Sequence, residues 1–233
     1  MRTVYHGSDH VLKSPKYQCG KADNDYGNGF YTTEYEDRAK SWAALNGVRE
    51  HCIVNEYDLD MTDLEVMDLN AYGVLAWIAE VVANRGMNQE AANIVGERLI
   101  KLYRVDSKQA DIITGYRADD SYTQVIEAFL LNQLNVEEVK RLFYKGSLGN
   151  QIFLKSEKAF QHIIWKNAYE IKAEEVDVSY DLTARREVSR FLQERMKAIL
   201  LDGYQGPGIT AQYAIRHHLV YHREEDYYEA AGI

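Results

Sequence analysis

The sequence predicts an α+β fold, on three observations. Short strand patterns recur from the first residues to about residue 155, helical patterns are inserted between the later ones, and the stretch after residue 165 carries helical patterns alone. With 233 residues and 46% hydrophobic side chains, the chain can bury a core of ordinary size. One domain over residues 1–165 and a helical C-terminal extension over 166–233 are expected.

Taken in order, residues 2–5 make a short strand, and 11–24, with Pro15 and scattered glycine and aspartate, read as a loop. A second strand covers 29–33. The helix expected over 36–45 opens on Glu36 and Asp37 and sets Ala39, Trp42 and Ala43 on one face. In 52–59, Ile53, Asn55 and Tyr57 alternate with Val54, Glu56 and Asp58, the period of a half-buried strand. Apolar residues every three or four positions predict core-packing helices over 72–84 and 90–103. A strand over 110–114, helices over 121–132 and 136–144, and a late strand over 151–155 follow. A long amphipathic helix over 185–201, closed by Gly203 and the Gly206-Pro207-Gly208 turn, and another helix after Thr210 complete the extension.

Composition narrows the function classes. A net charge of -9 opposes loose binding to phosphate backbones, so a nucleic-acid acceptor needs a focused groove. Cys19 and Cys52 lack any flanking signature, which disfavours disulfide and zinc scaffolds, and no apolar run suits a membrane span or a secretion signal. The expectation is a cytoplasmic protein without membrane association. His218 and His222 have helical separation beside His217, yet no third ligand stands near them, so a surface or partner-facing role is expected and no metal site.

The most informative segments are Tyr5-His6-Gly7-Ser8 and Tyr26-Gly27-Asn28-Gly29-Phe30-Tyr31. Each sets a hydrogen-bonding ring beside glycines that admit close approach to the backbone. With the later strand starting at Gln151, their order and spacing resemble ADP-ribosyltransferases of the branch that includes poly-ADP-ribose polymerases and diphtheria toxin. More closely, residues from Val4 to about Phe160, through these segments with Trp42, Asn84-Arg85, Ala118-Asp119-Asp120 and Gln151 to Ala159, resemble a bacterial domain-of-unknown-function family related to those transferases.

That resemblance implies a split β-sheet core, NAD as substrate, and transfer of ADP-ribose to a protein or nucleic acid acceptor. It assigns the adenine-side ribose to His6 and the nicotinamide amide to the backbone of Gly7, with Ser8 completing the group. Tyr31 and Trp42 would stack on the nicotinamide ring, a flat cation that favours aromatic faces. Trp42 can equally fill the core from its helix. Ala39 stands where such enzymes often carry a serine to the amide. Gln151 takes the position of their glutamate, keeping a hydrogen bond to the nicotinamide ribose but supplying no base. Asp119 or Asp120 could then orient the nucleophile, as could Glu157, although the two aspartates also suit a cap for the helix from Ser121 and Glu157 suits a helix surface. Genes of the related family commonly stand beside short partners, which implies a toxin–antitoxin-like system and a small antitoxin-like protein partner. The alternative is a catalytically silent module that binds NAD or ADP-ribose. An RNA-end-processing transferase ranks lower, because its chemistry needs arginines and none adjoins His6 or Tyr31 in the sequence.

Overall fold

The computed structural model describes residues 1–44, 50–117, 120–145, 150–177, 179–203 and 208–219. It is an α+β protein. In chain order the elements are β1 (Arg2–Ser8), β2 (Phe30–Thr32), α1 (Glu36–Ala44), β3 (Cys52–Leu59), β4 (Val66–Asp68), α2 (Gly73–Arg85), α3 (Glu90–Tyr103), β5 (Ile112–Tyr116), α4 (Asp120–Leu130) and α5 (Val136–Lys145). They continue as β6 (Asn150–Leu154), α6 (Glu157–Gln161), β7 (Ile163–Ile171), α7 (Ser179–Asp202) and α8 (Ala211–Arg216).

The strands form two sheets, one of order β1-β3-β7 and one of order β2-β6-β5-β4. The first is antiparallel throughout, and in the second only β4 runs parallel to its neighbour. An isolated antiparallel bridge, Tyr5 to Thr33, joins the sheets: each residue's N–H donates to the other's carbonyl, at 2.8 and 3.0 Å.

Period-two alternation decides which faces meet. Val4, Phe30, Tyr57, Leu59, Ile112, Ile152 and Leu154 form a shared apolar layer between the sheets. The alternate residues of the second sheet, Ile113 and Phe153, join the larger helical core built around Trp77, Phe129, Ile126 and Leu99. On the first sheet the outer face packs on α1 through Ala39, Ala43, Cys52 and Val54. The second sheet is therefore sandwiched, and its two faces have different neighbours.

Two strands lie beyond the sequence reading. β4 is three residues long and held through its pairing with β5. β7 spans nine residues and crosses position 165, so the extension expected to be helical from 166 opens with residues 166–171 still in the sheet. Lys166 is the reason its pattern hides: Glu56 pairs with Asn167 while Tyr57 pairs with Trp165, which leaves Lys166 as a bulge that interrupts the alternation. Its ammonium then bridges Glu56 and Asp58 at 3.1 and 3.3 Å. The long helix α7 starts at Ser179, ahead of the expected 185.

Asp111 ties the second sheet to the turn after β6. Its carboxylate accepts from the Glu65 N–H at 3.0 Å and from the Ser156 hydroxyl, with Lys158 3.6 Å away. The Ser156 bond leads the causes that hold this carboxyl below its usual range. A carboxylate depressed in the folded state stabilises above its unfolded value of about 3.9 and loses that contribution as pH falls through the folded value. Asp111→Asn should therefore melt lower at pH 7 and show a shallower loss of melting temperature between about pH 5 and pH 3 than wild type, as read by circular dichroism.

Candidate functional site

Tyr31 and Gln151 lie on one face of the second sheet. Tyr31 pairs with Phe153 across β2 and β6, and Gln151 is two residues from Phe153 on the same strand. Both side chains turn toward α2 and the loop before β2. The Tyr31 hydroxyl accepts the Tyr26 N–H and donates to the Gly27 carbonyl, both at 2.9 Å, and Gly27 takes φ 85° to make that turn. The Tyr31 ring packs on Phe153 at 4.7 Å and lies nearly parallel to Tyr26 at 6.4 Å. Burial, ahead of the charge of Asp25, pushes both phenols far above their ordinary range. Neither can act as a base near neutral pH; they are donors.

Gln151 is 3% exposed. Its Nε2 donates to Asp25 Oδ2 at 2.9 Å and to the Tyr116 carbonyl at 3.2 Å. Asp25, 5% exposed, is held in turn by Arg85 at the end of α2, Nη1 to Oδ1 at 3.1 Å. Asn84 Nδ2 reaches the Asp25 carbonyl at 3.2 Å and the Glu80 carboxylate at 2.9 Å. Glu80, also buried, is closed by a two-pronged bond from Arg104 at 2.9 and 3.2 Å. Trp77 Nε1 and the Tyr26 hydroxyl share the Tyr116 carbonyl. Two buried carboxylates thus face two guanidiniums, the condition under which buried charge is tolerated.

His6 occupies the other face. Its ring lies 4.6 Å from Phe30, toward the layer between the sheets, and its Nδ1 is 2.8 Å from the Tyr31 carbonyl. The structure therefore joins His6 to Tyr31 through the backbone and joins Tyr31 to Gln151 through the 25–27 segment, without turning the three side chains to one face. Ser8 is engaged elsewhere: its hydroxyl donates to the His10 carbonyl at 2.7 Å and accepts from Asn55 at 2.9 Å, which fixes the chain as it leaves β1.

Gly7 has a packing reason of its own. A Cβ there would stand 2.5 Å from the Ala43 nitrogen and closer still to the Ala39 carbonyl oxygen, so the α1 backbone rests directly on this residue. Trp42 sits on the flank of the same helix, half-buried. Its indole N–H is buried with no hydrogen-bond partner among the described residues, and the Arg117 guanidinium lies over its ring at 4.9 Å. Trp42 thus links α1 to the end of β5, across the two sheets.

Asp119 lies outside the described residues, and Asp120 opens α4 but its side chain is likewise outside them. Glu157 is exposed in the first turn of α6, behind the Ser156 cap. His217 stacks on Tyr213 at 4.2 Å, and His222 is outside the described residues. Among the described residues, no group of three or more His, Cys, Asp or Glu is placed to hold a metal ion. A cavity of about 520 Å³ opens beside α1, lined by residues including Asp37, Arg38, Ser41 and Asp177; His6, Tyr31 and Gln151 are not among them.

The sequence reading missed Asp25 as a site residue, although it directly precedes the Tyr26-Gly27 segment, and Arg85 has a place that sequence adjacency does not reveal. The guanidinium enters the surroundings of Tyr31 from sixty residues beyond Asp25, with its charge met by that carboxylate. No arginine adjoins Tyr31 in the sequence, but the fold brings Arg85 to Asp25, next to the Tyr26-Gly27 segment that holds the Tyr31 hydroxyl.

The family described as "Protein of unknown function (DUF3990)" matches residues 2–165. The chain belongs to this family. The matched span contains both sheets except the end of β7, and it includes Asp25, Tyr31, Arg85 and Gln151. No curated protein and no solved structure matches the chain. Among the described residues, no helix is long and apolar enough to cross a membrane.

Because α1 rests on Gly7, Gly7→Ala should lower the melting temperature by about 5 °C or more, whether or not any ligand is present. A melt of the two proteins with and without NAD checks this: an effect seen only with ligand would assign Gly7 to binding alone.

Proposed function

We propose that this chain is an NAD-dependent mono-ADP-ribosyltransferase acting on a protein or nucleic acid acceptor, and that its two sheets are the split core of that fold. The observation that carries the reading is the meeting of the three motifs at β2: His6 bonds the Tyr31 carbonyl, and the Tyr31 ring and Gln151 amide share one face two positions apart on the ladder. The bridge between Tyr5 and Thr33 is the seam there, and a dinucleotide lying across that seam meets the imidazole on one side and the phenol ring on the other.

In this reading His6 and the Gly7 backbone hold the adenosine-side ribose and the carboxamide, and Tyr31 with Trp42 contacts the nicotinamide ring. Gln151 holds the hydroxyl of the nicotinamide ribose. The C1′–N bond breaks, nicotinamide leaves with the bonding electron pair, and the acceptor's lone pair closes on the oxocarbenium-like carbon. The acceptor's proton goes to a carboxylate or to water. A glutamine cannot take it, so the rate depends on a nearby anion. Asp25 is the carboxylate bonded to Gln151, and Asp119 or Asp120 remains proposed for orienting the nucleophile. A cytoplasmic setting and a small antitoxin-like partner are part of the proposal.

A second reading rests on a specific observation. Gln151 is neutral, and the Asp25 charge beside it is already met by Arg85, which suits a silent module that binds NAD or ADP-ribose without turnover. Calorimetric titration with NAD, followed by measurement of released nicotinamide, separates the two.

For the transferase, incubation with labelled NAD and a cell lysate should mark an acceptor. His6→Ala and Tyr31→Ala should reduce labelling at least about tenfold while Tyr31→Phe, which keeps the ring, retains most of it. Circular dichroism of each variant verifies folding. Full labelling by both alanine variants would defeat the assignment.

A further inference from the structure

Gln151 raises a question of direction: which end of its buried amide its neighbours leave uncommitted. The two ends differ chemically, since the nitrogen donates and the oxygen accepts. Around Nε2 stand Asp25 Oδ2 and the Tyr116 carbonyl, at 2.9 and 3.2 Å. A main-chain carbonyl can only accept, and so can a carboxylate ionised beside Arg85. Both amide protons are therefore taken from within, and a flipped amide would set oxygen against two oxygens. The neighbouring Tyr26 hydroxyl spends its proton on the same Tyr116 carbonyl, at 2.5 Å, which leaves Oε1 as the end of the amide with accepting capacity to offer.

We propose that Asp25 is a positioning residue that locks the Gln151 amide with its oxygen presented to ligand, so that this position accepts a hydrogen-bond donor, a sugar hydroxyl, and turns away acceptor-only groups such as a phosphate. The hydroxyl's identity as that of the nicotinamide ribose rests on the function proposed above; the lock itself does not. The arrangement also explains why a glutamine stands where a carboxylate would be expected. A glutamate at 151 would place a second anion about 3 Å from buried Asp25, and like charges at that distance resist simultaneous ionisation. The anion has instead moved to position 25, where the Arg85 guanidinium and the Gln151 amide hold it.

The test exchanges the two groups. Asp25→Asn, Gln151→Glu and the double variant D25N/Q151E are melted without ligand from pH 8 to pH 5. Gln151→Glu alone should melt about 5 °C or more below wild type at pH 8 and recover as pH falls. The sign follows from like-charge repulsion, which raises the folded pKa of the carboxyl pair, so stability is present at low pH and lost as pH rises through that value. In the double variant the new amide at position 25 donates to the new carboxylate at position 151 and the like-charge pair is gone, so this pH dependence should shrink and part of the lost melting temperature should return, the carboxylate still facing the Tyr116 carbonyl. Each protein is then titrated with NAD and with an analogue whose nicotinamide-ribose 2′-hydroxyl is replaced by hydrogen. Wild type should prefer NAD by about tenfold, and Asp25→Asn should lose that preference while remaining folded.

A Gln151→Glu variant with the same pH profile as wild type, or no rescue in the double variant, overturns the lock. An undiminished preference for the hydroxyl in Asp25→Asn overturns the positioning role. If the melts behave as expected and wild type binds no NAD, the lock stands and the proposed function falls.

Discussion

The buried carboxylate of Asp25 is the constraint around which the rest of the site is arranged. A charge withdrawn from water must be matched by opposite charge and by donors on its remaining lone pairs. Arg85 supplies the charge, Gln151 supplies a donor, and Asn84 secures the neighbouring main chain. These residues come from the loop before β2, the end of α2 and the start of β6. A single desolvated group thereby fixes the relative position of three segments that are distant in the chain, and the Tyr31 hydroxyl adds a fourth tie through Tyr26 and Gly27.

Strand alternation then sorts the side chains. Phe30, Ile152 and Leu154 seal the layer between sheets, and Tyr31, Phe153 and Gln151 take the opposite face. The imidazole of His6 follows the first group and the amide of Gln151 the second. A small molecule that touches both has to cross the seam between β1 and β2, which makes the bridge at Tyr5 and Thr33 the geometric condition for any joint role. Gly7, close by, serves α1 packing first; whatever else its backbone does is compatible with that demand.

Much of the framework was legible in the residues. Helix α3 occupies the 90–103 span that apolar periodicity indicates, and β3 occupies 52–59 where strict alternation does. β7 was not legible because the Lys166 bulge breaks its period, and β4 because three residues paired to β5 carry no pattern of their own. For the site, residue type and spacing indicated Tyr31 and Gln151, and the fold sets them on one face. Asp25 escaped because its meaning lies in a partner sixty residues onward; pairing of that kind leaves no local signal. Ser8 and Gly7 drew attention as ligand contacts, while their hydroxyl and bare Cα are taken up by Asn55, His10 and helix α1.

The family match stops at residue 165, in the middle of β7. A fragment cut at that point would keep Ile163, Ile164 and Trp165 against Leu59, Asp58 and Tyr57 but strip residues 168–171 from the start of β3. Cys52 to Asn55 would then become a bare ribbon edge whose free amides and carbonyls invite another chain to zip on. Shortening the protein to its matched span would turn a covered strand into a self-adhesive one, and a workable minimal fragment has to run at least through Ile171.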